Sequence, residues 1–275
     1  PFVWMVDNYG WRQTLVYNSI VGAIITVLIS LIVKDKPKSE DKCAKEESSQ
    51  TISAVFKCLK SAISNRQNWL GGISISLLNL PIFIFGATWG SIYLKQAYNL
   101  TSYQASYIVS MIFIGMIVGS PLSGWLSDNY SITFNKGIKL TNKGSRRQPL
   151  ILSAIISTIC ILILITTPHL SYYQLIVLFF AIGLFSSLQV CGYPLITENN
   201  PSHLTASASS IASMLIMAGG FILPIFGWLV SLPGDSILIN HEIIYSIHDF
   251  NLAMSILPIS YIIAGLAAYY AKETI

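Results

Sequence analysis

The 275-residue chain has only 10% charged residues and a mean hydropathy of +0.62. Soluble domains carry roughly 25% charge, so an ordinary water-soluble enzyme is excluded and an integral membrane protein is indicated. The net charge of +4 does not mark a nucleic-acid binder, because the basic residues gather in particular loops, which is an orientation signal and not a binding patch.

Residues 1–13 read as the tail of an apolar segment followed by a short polar turn, with Trp4, Tyr9 and Trp11 where interfacial aromatic belts fall. The chain opens on Pro1 with neither a methionine nor a basic n-region, so no cleavable signal peptide is expected and a truncated N-terminus is. Residues 15–33 form a span, since about 20 apolar residues cross about 30 Å of hydrocarbon, and Lys34-Asp35-Lys36-Pro37 ends it. Residues 34–66 are dense in charge and serine and weakly amphipathic over 52–63, which predicts a solvated linker with one surface helix. Further spans are predicted over 69–94, 104–126, 149–166, 172–197, 206–230 and 250–271, with 232–249 as a polar connection. Cys43, Cys58, Cys160 and Cys191 have neither CxxC nor metal-ligand spacing, so free thiols are expected, with no metal and no cofactor.

Orientation follows from the basic residues. If 34–66 is cytoplasmic, alternation puts 128–148, 198–205 and the C-terminus on the same side. Of the 16 basic residues, Arg12 and Lys95 alone then remain outside. Residues 11–34 and 249–272 have the same length and similar flanks, an echo that duplicated halves or chance would both give.

No Asp, Glu, Lys or Arg falls in mid-span; Lys95, Asp128 and Glu198 come closest. An intramembrane acid would be the default proton relay, so any proton or sodium coupling is expected to use groups elsewhere. The absence of a buried cation to pair with phosphate or carboxylate favours a neutral or zwitterionic solute. Neutral polarity is present instead. Asn79-Leu80-Pro81 interrupts one span: proline removes a backbone hydrogen bond, and Asn79 can satisfy a freed group or a ligand. Trp89 and Tyr93 follow it, while Gln189 and Tyr193 lie one turn apart on another span and share a face. Broken helices near the midplane point to a solute site. A solute path through Asn79, Trp89, Tyr93, Gln189 and Tyr193 therefore stands beside a plainer reading, in which Pro81 serves packing and the polar groups bond between helices. Gly115, Gly119 and Gly124 let one helix lie close against another, and Gly219, Gly220 and Pro224 offer packing with a hinge. His169, His203, His241 and His248 read as surface residues.

Gly124-x-x-x-Asp128 followed by Gly144-Ser145-Arg146-Arg147, the charged exit at Lys34 and Glu198-Asn199-Asn200-Pro201 together resemble the major facilitator superfamily of transporters. Residues 129–143 depart from its pattern, since the family has one or two residues there. The resemblance implies an all-α, polytopic membrane protein: a six-helix C-terminal bundle over 67–275, a cytoplasmic linker over 34–66, and the sixth span, from the N-terminal bundle, within 1–33. It also implies a gate network of Gly124, Asp128, Arg146 or Arg147, and Glu198, with Thr205 where some branches have an arginine. The function implied is secondary transport of a small polar solute by alternating access, and not enzymatic catalysis. An amino acid or short peptide is the preferred solute; an organic-anion or sugar-phosphate permease, or an inactive truncated remnant, is the alternative. The partners implied are the lipid bilayer of a bacterial inner membrane, the solute, a proton or sodium ion, and further N-terminal helices on the same or a companion chain.

Overall fold

Hydrocarbon offers backbone N–H and C=O groups no outside partner, so a chain this apolar is driven into helices that satisfy themselves. The computed structural model describes residues 2–33, 52–129, 131–133, 139–141, 144–167, 169–233, 237–239 and 242–273. Seven helices among them are long and apolar enough to cross a membrane: Trp11–Ile32, Arg66–Tyr98, Ser102–Asn129, Arg147–Thr166, Tyr172–Glu198, Ser202–Ser231 and Ile247–Tyr270. The protein is an all-α polytopic membrane protein. Its chain divides into two compact units, Pro1–Lys57 and Cys58–Ile275. The charged exit at Lys34, the linker up to residue 51, Cys43 and His241 lie outside the described residues, whereas Cys58, Cys160 and Cys191 are free thiols.

In the first unit, α1 (Phe2–Tyr9) and α2 (Trp11–Ile32) are separated by Gly10 alone, at φ 78°. A side chain would be strained there, so the predicted polar turn contracts to one residue. Along α2, Thr14, Asn18, Ser19, Thr26 and Ser30 each donate back to a carbonyl of the preceding turn at 2.8–3.0 Å. That local pairing lets polar side chains sit in an otherwise apolar span. The unit boundary falls within helix α3 (Ile52–Ser64).

The second unit holds the remaining spans, and most of them are broken. Asn65 caps α4 (Arg66–Leu78) by accepting from Gln67 N; after Asn79 and Pro81 the chain widens into a π-helical stretch, Ile82–Trp89, before α5 (Gly90–Tyr98). Thr101 and Gln104 exchange hydrogen bonds of 3.1 and 3.3 Å at the start of α6 (Ser102–Asn129), the reciprocal arrangement of a capping box. After α7 (Arg147–Thr166), α8 (Tyr172–Ser186) runs into a 3-10 segment, Ser187–Cys191, and then α9 (Gly192–Glu198). Helices α10 (Thr205–Ala218) and α11 (Ile222–Ser231) flank a second 3-10 segment, Gly219–Phe221. Pro224 therefore sits in the first turn of a restarted helix, where its missing N–H costs little. Helices α12 (Ile247–Met254) and α13 (Ile256–Tyr270) complete the unit. Two loops carry short antiparallel hairpins, Ser131–Thr133 with Lys139–Thr141 and Ile237–Ile239 with Glu242–Ile244. The second occupies part of the predicted polar connection.

Lipid tails are as apolar as leucine, so close contact and not water release holds the spans together. The main core centres on Phe85, Phe179, Phe226, Phe250 and Tyr261, and a smaller one joins Ile75, Ile196, Ala208, Ala212 and Ile216. Helices α6 and α8 touch backbone to backbone: a Cβ on Gly115 would collide with the Phe180 carbonyl, and one on Gly183 with the Ile112 carbonyl. Gly119 meets Leu184 and Ser187 in the same seam. Gly124 does not belong to it, because a Cβ there would meet open space. Likewise, a Cβ on Gly219 would make ordinary contacts at 3.4 Å, and Gly220 has still more room. Backbone thus lies opposite Gly115 and Gly119, and none lies within contact of a Cβ at Gly124, Gly219 or Gly220. Replacing Gly115 with alanine should cost about 1–3 kcal/mol, the usual penalty of overpacking. Gly124→Ala should stay within about 0.5 kcal/mol of wild type. Thermal unfolding of the two purified variants, measured side by side in detergent, tests the contrast.

Candidate functional site

Helix α4 ends at Asn79 because Pro81 cannot donate to the next turn. Facing that break is the 3-10 segment of the Tyr172–Glu198 span. Gln189 Nε2 donates to Asn79 Oδ1 at 2.7 Å, and both residues are buried. Gln189 Oε1 has no hydrogen-bond partner among the described residues. A buried acceptor left unmade costs about 1–3 kcal/mol, so this oxygen is the unbalanced atom of the pair. Tyr193 is half-buried and packs on the smaller core beside Ile75. The tighter 3-10 winding, three residues per turn, places Gly192 and not Tyr193 over Gln189.

Trp89 and Tyr93 belong to a different place. Trp89 packs on Phe226 and Tyr245 at ring separations of 5.6 and 6.1 Å, and Tyr93 is buried against Phe85, Tyr98 and Phe250. Tyr93 lies roughly 20 Å along the span from Asn79 at helical rise. The five residues expected to share one solute path thus form two groups, and Tyr93 is a core residue. Beside it, Gln96 pairs with backbone in strand fashion, donating to Ile243 O at 3.2 Å and accepting from Tyr245 N at 3.1 Å.

Charge collects where α6 and α9 end and α7 begins. Arg146 forms an ion pair with Asp128, donates to Ser127 Oγ at 3.1 Å, and reaches Glu198 Oε1 from both Nε and Nη2 at 3.1 Å. Burial opposes the Arg146 charge, but the bonds to Asp128 and Glu198 more than offset it, and its pKa is raised. The Arg146 side chain is 17% exposed, against 60% for Asp128 and 33% for Glu198. Arg147 points elsewhere: it donates to Tyr269 O at 3.0 Å, lies over the Tyr269 ring, and approaches Glu273 at 4.0 Å. Arg146 is therefore the arginine that bridges the two acids.

The insertion over 129–143 does not separate the two halves of the motif. Ser145 N donates to Ser127 O at 2.9 Å, and Ser127 Oγ donates back to Ser145 O at 3.1 Å. Gly144 sits so close that a Cβ would lie 2.7 Å from the Ser127 and Asp128 carbonyls, which only glycine permits. Below Arg146, a cavity of about 240 Å3 is lined by Ser120, Ser123, Gly124, Ser127 and Cys191. Ser127, Ser145 and Glu273 were missed from sequence. The one available signal was the Lys272-Glu273 pair closing the last span.

Broken spans, with a buried amide pair between two of the breaks and a charged rim at the helix ends, have the architecture of secondary carriers. The chain matches the Major Facilitator Superfamily over residues 2–224 and again over 82–274, and it belongs to that family. It is similar to a "Probable galactarate/D-glucarate transporter" of Bacillus subtilis (strain 168), with 22% identity over 254 residues, covering 84% of this chain and 53% of that protein. It is also similar to a "Probable hexose phosphate transport protein" of Chlamydia muridarum (strain MoPn / Nigg), with 24% identity over 148 residues, covering 46% and 32% respectively. The chain thus spans about half the length of the first relative and about a third of the second.

Two stability measurements follow from this geometry. Asn79→Leu should destabilise by about 1–3 kcal/mol by stranding Gln189, and the double change with Gln189→Leu should recover most of that loss. In a double-mutant cycle read by thermal unfolding, Arg146 and Glu198 should couple by about 0.5–1 kcal/mol, and Arg146 with the more exposed Asp128 by less.

Proposed function

We propose that the protein is a secondary carrier of hydroxylated organic anions, sugar acids or sugar phosphates, working by alternating access. In this reading residues 67–275 form the C-terminal bundle, 34–66 the cytoplasmic linker and 1–33 contain the sixth span, with the remaining helices on the same or a companion chain. The observation that carries the solute class is the unpaired Gln189 Oε1 beside Asn79, between two helix breaks. A buried acceptor of this kind takes an O–H or an N–H, and the solutes named for the two relatives support a polyhydroxy anion over an amino acid or peptide. The lack of a mid-span cation bears on where the anion's charge is met, which is outside these spans, as is the site of any proton or sodium coupling.

Asp128, Arg146 and Glu198 act as the cytoplasmic gate, beside Gly124 and with Arg147 anchored to the last helix. Exposed pairs are worth about 0.2–1 kcal/mol, so the network can break and reform during a transport cycle. The breaks after Pro81 and at Gly219–Phe221, ahead of Pro224, give the spans places to bend. The excess of basic residues on the Arg146 side supports a cytoplasmic placement of that end in a bacterial inner membrane.

The test is uptake by vesicles carrying the full-length gene product. Glucarate, galactarate and hexose 6-phosphate should compete with one another, while alanine and dipeptides should not. Gln189→Ala should raise the KM for the accepted anion by roughly 3–10-fold, the worth of one neutral hydrogen bond. Amino-acid uptake that sugar acids fail to inhibit, or an unchanged KM in Gln189→Ala, would refute the assignment.

A further inference from the structure

At the start of α7 the N-cap residue Arg146 turns its guanidinium away to Asp128 and Glu198, and the neighbouring Ser145 Oγ accepts from Gln148 N at 3.2 Å. The first turn of a helix leaves backbone N–H groups unmatched, and here a second partner comes from beyond the last helix. Glu273 Oε1 accepts from Arg146 N at 3.0 Å and Oε2 accepts from Ser145 Oγ at 2.7 Å. A carboxylate in this place also meets the positive end of the helix dipole. Its own segment is held on two further sides: Lys272 N donates to Gln67 Oε1 at 2.8 Å, and Asn199 Nδ2 donates to Lys272 O at 3.1 Å. Lys272 and Glu273 therefore tie together the starts of α4 and α7 and the end of α9.

We propose that Glu273 is the positioning residue for Arg146: by capping α7 from the end of the last helix, it holds the guanidinium at the wall of the Ser123–Cys191 cavity, and release of this clasp opens the cavity. Arg146, Ser123 and Cys191 line that cavity together, and Cys191 is buried in it, with Sγ 3.4 Å from Ser123 O. Three carboxylates (Asp128, Glu198, Glu273) surround two arginines (Arg146, Arg147). Removing Glu273 therefore loosens the backbone under Arg146 while leaving its side-chain partners Asp128, Glu198 and Ser127 in place. A loosened backbone lets the fork drop one acid and swing clear of the cavity.

The inference takes its functional meaning from the gate reading above, but its test is independent of transport. With Cys43, Cys58 and Cys160 changed to serine, Cys191 is the single thiol, and its alkylation by a small charged maleimide reports the cavity in the folded chain. Glu273→Ala should speed labelling about tenfold. Glu273→Asp should restore most of the protection. In an Arg146→Ala background, Glu273→Ala should add nothing, because its effect runs through the guanidinium. A parallel chain with Cys160 as its single thiol should label at an unchanged slow rate. An unchanged Cys191 rate in Glu273→Ala, additivity with Arg146→Ala, or equal acceleration at Cys160 would each overturn the proposal. Uptake that fails the solute test would leave the labelling result standing.

Discussion

Inside a membrane every polar group must find its partner within the protein, and that constraint sorts the residues of this chain. Polar side chains of α2 bond to their own helix, and charged groups withdraw to the span ends, where Arg146 meets two acids. One neutral pair sits where the backbone ladder is already interrupted. Asn79 and Gln189 meet across two such interruptions. A polar pair and a broken helix are thus one feature: each freed backbone group invites a neutral partner, and each neutral partner tolerates a break.

The same constraint explains why glycines matter unequally. Contact in lipid is won by approach and not by expelling water, so a small residue counts only where another backbone lies opposite. Gly115, Gly119 and Gly183 form such a seam between α6 and α8, and Gly71 faces Ile196 while Gly192 faces Ile75 between α4 and α9. Gly124 follows Gly119 with similar spacing yet has nothing opposite it, and it lines the cavity under Arg146 instead. Spacing along one helix does not specify its neighbour.

That difference marks how far the sequence could be read. The spans were legible because hydropathy over some 20 residues is a property of the segment alone, and the break at Asn79 was legible because proline's missing N–H is local chemistry. The charged rim was legible as a composition, and its internal wiring was not. Arg146 and Arg147 are adjacent, and which one bridges the acids depends on Tyr269 and Glu273, more than 120 residues away in the chain. Tyr93 looked like a solute-lining aromatic because nothing within its own helix says that Phe85 and Phe250 close over it. Helix starts were written in Thr101/Gln104 and Ser246/Asp249, reciprocal capping pairs that set α6 and α12 earlier than hydropathy placed them. The insertion over 129–143 looked disruptive, but closing a loop depends only logarithmically on its length, with each doubling costing about 0.6 kcal/mol. Gly144 and Ser145 can therefore return to Ser127 whatever hangs between them.

The exposure of the charged rim bears on what it can do. A fully buried pair broken on one side strands a charge at about 3–5 kcal/mol, which would lock the end of the bundle shut. A fully solvated pair is worth too little to choose between states. Arg146, largely buried with partners that are one-third and three-fifths exposed, lies between these limits. Water is at hand to receive Asp128 when the fork lets go, while the backbone bond from Ser145 N to Ser127 O keeps the helix start in place for the fork to return. An ionic cluster with one side open to solvent and the other tied to backbone can release without unfolding, and in the proposed cycle that is the property a gate requires.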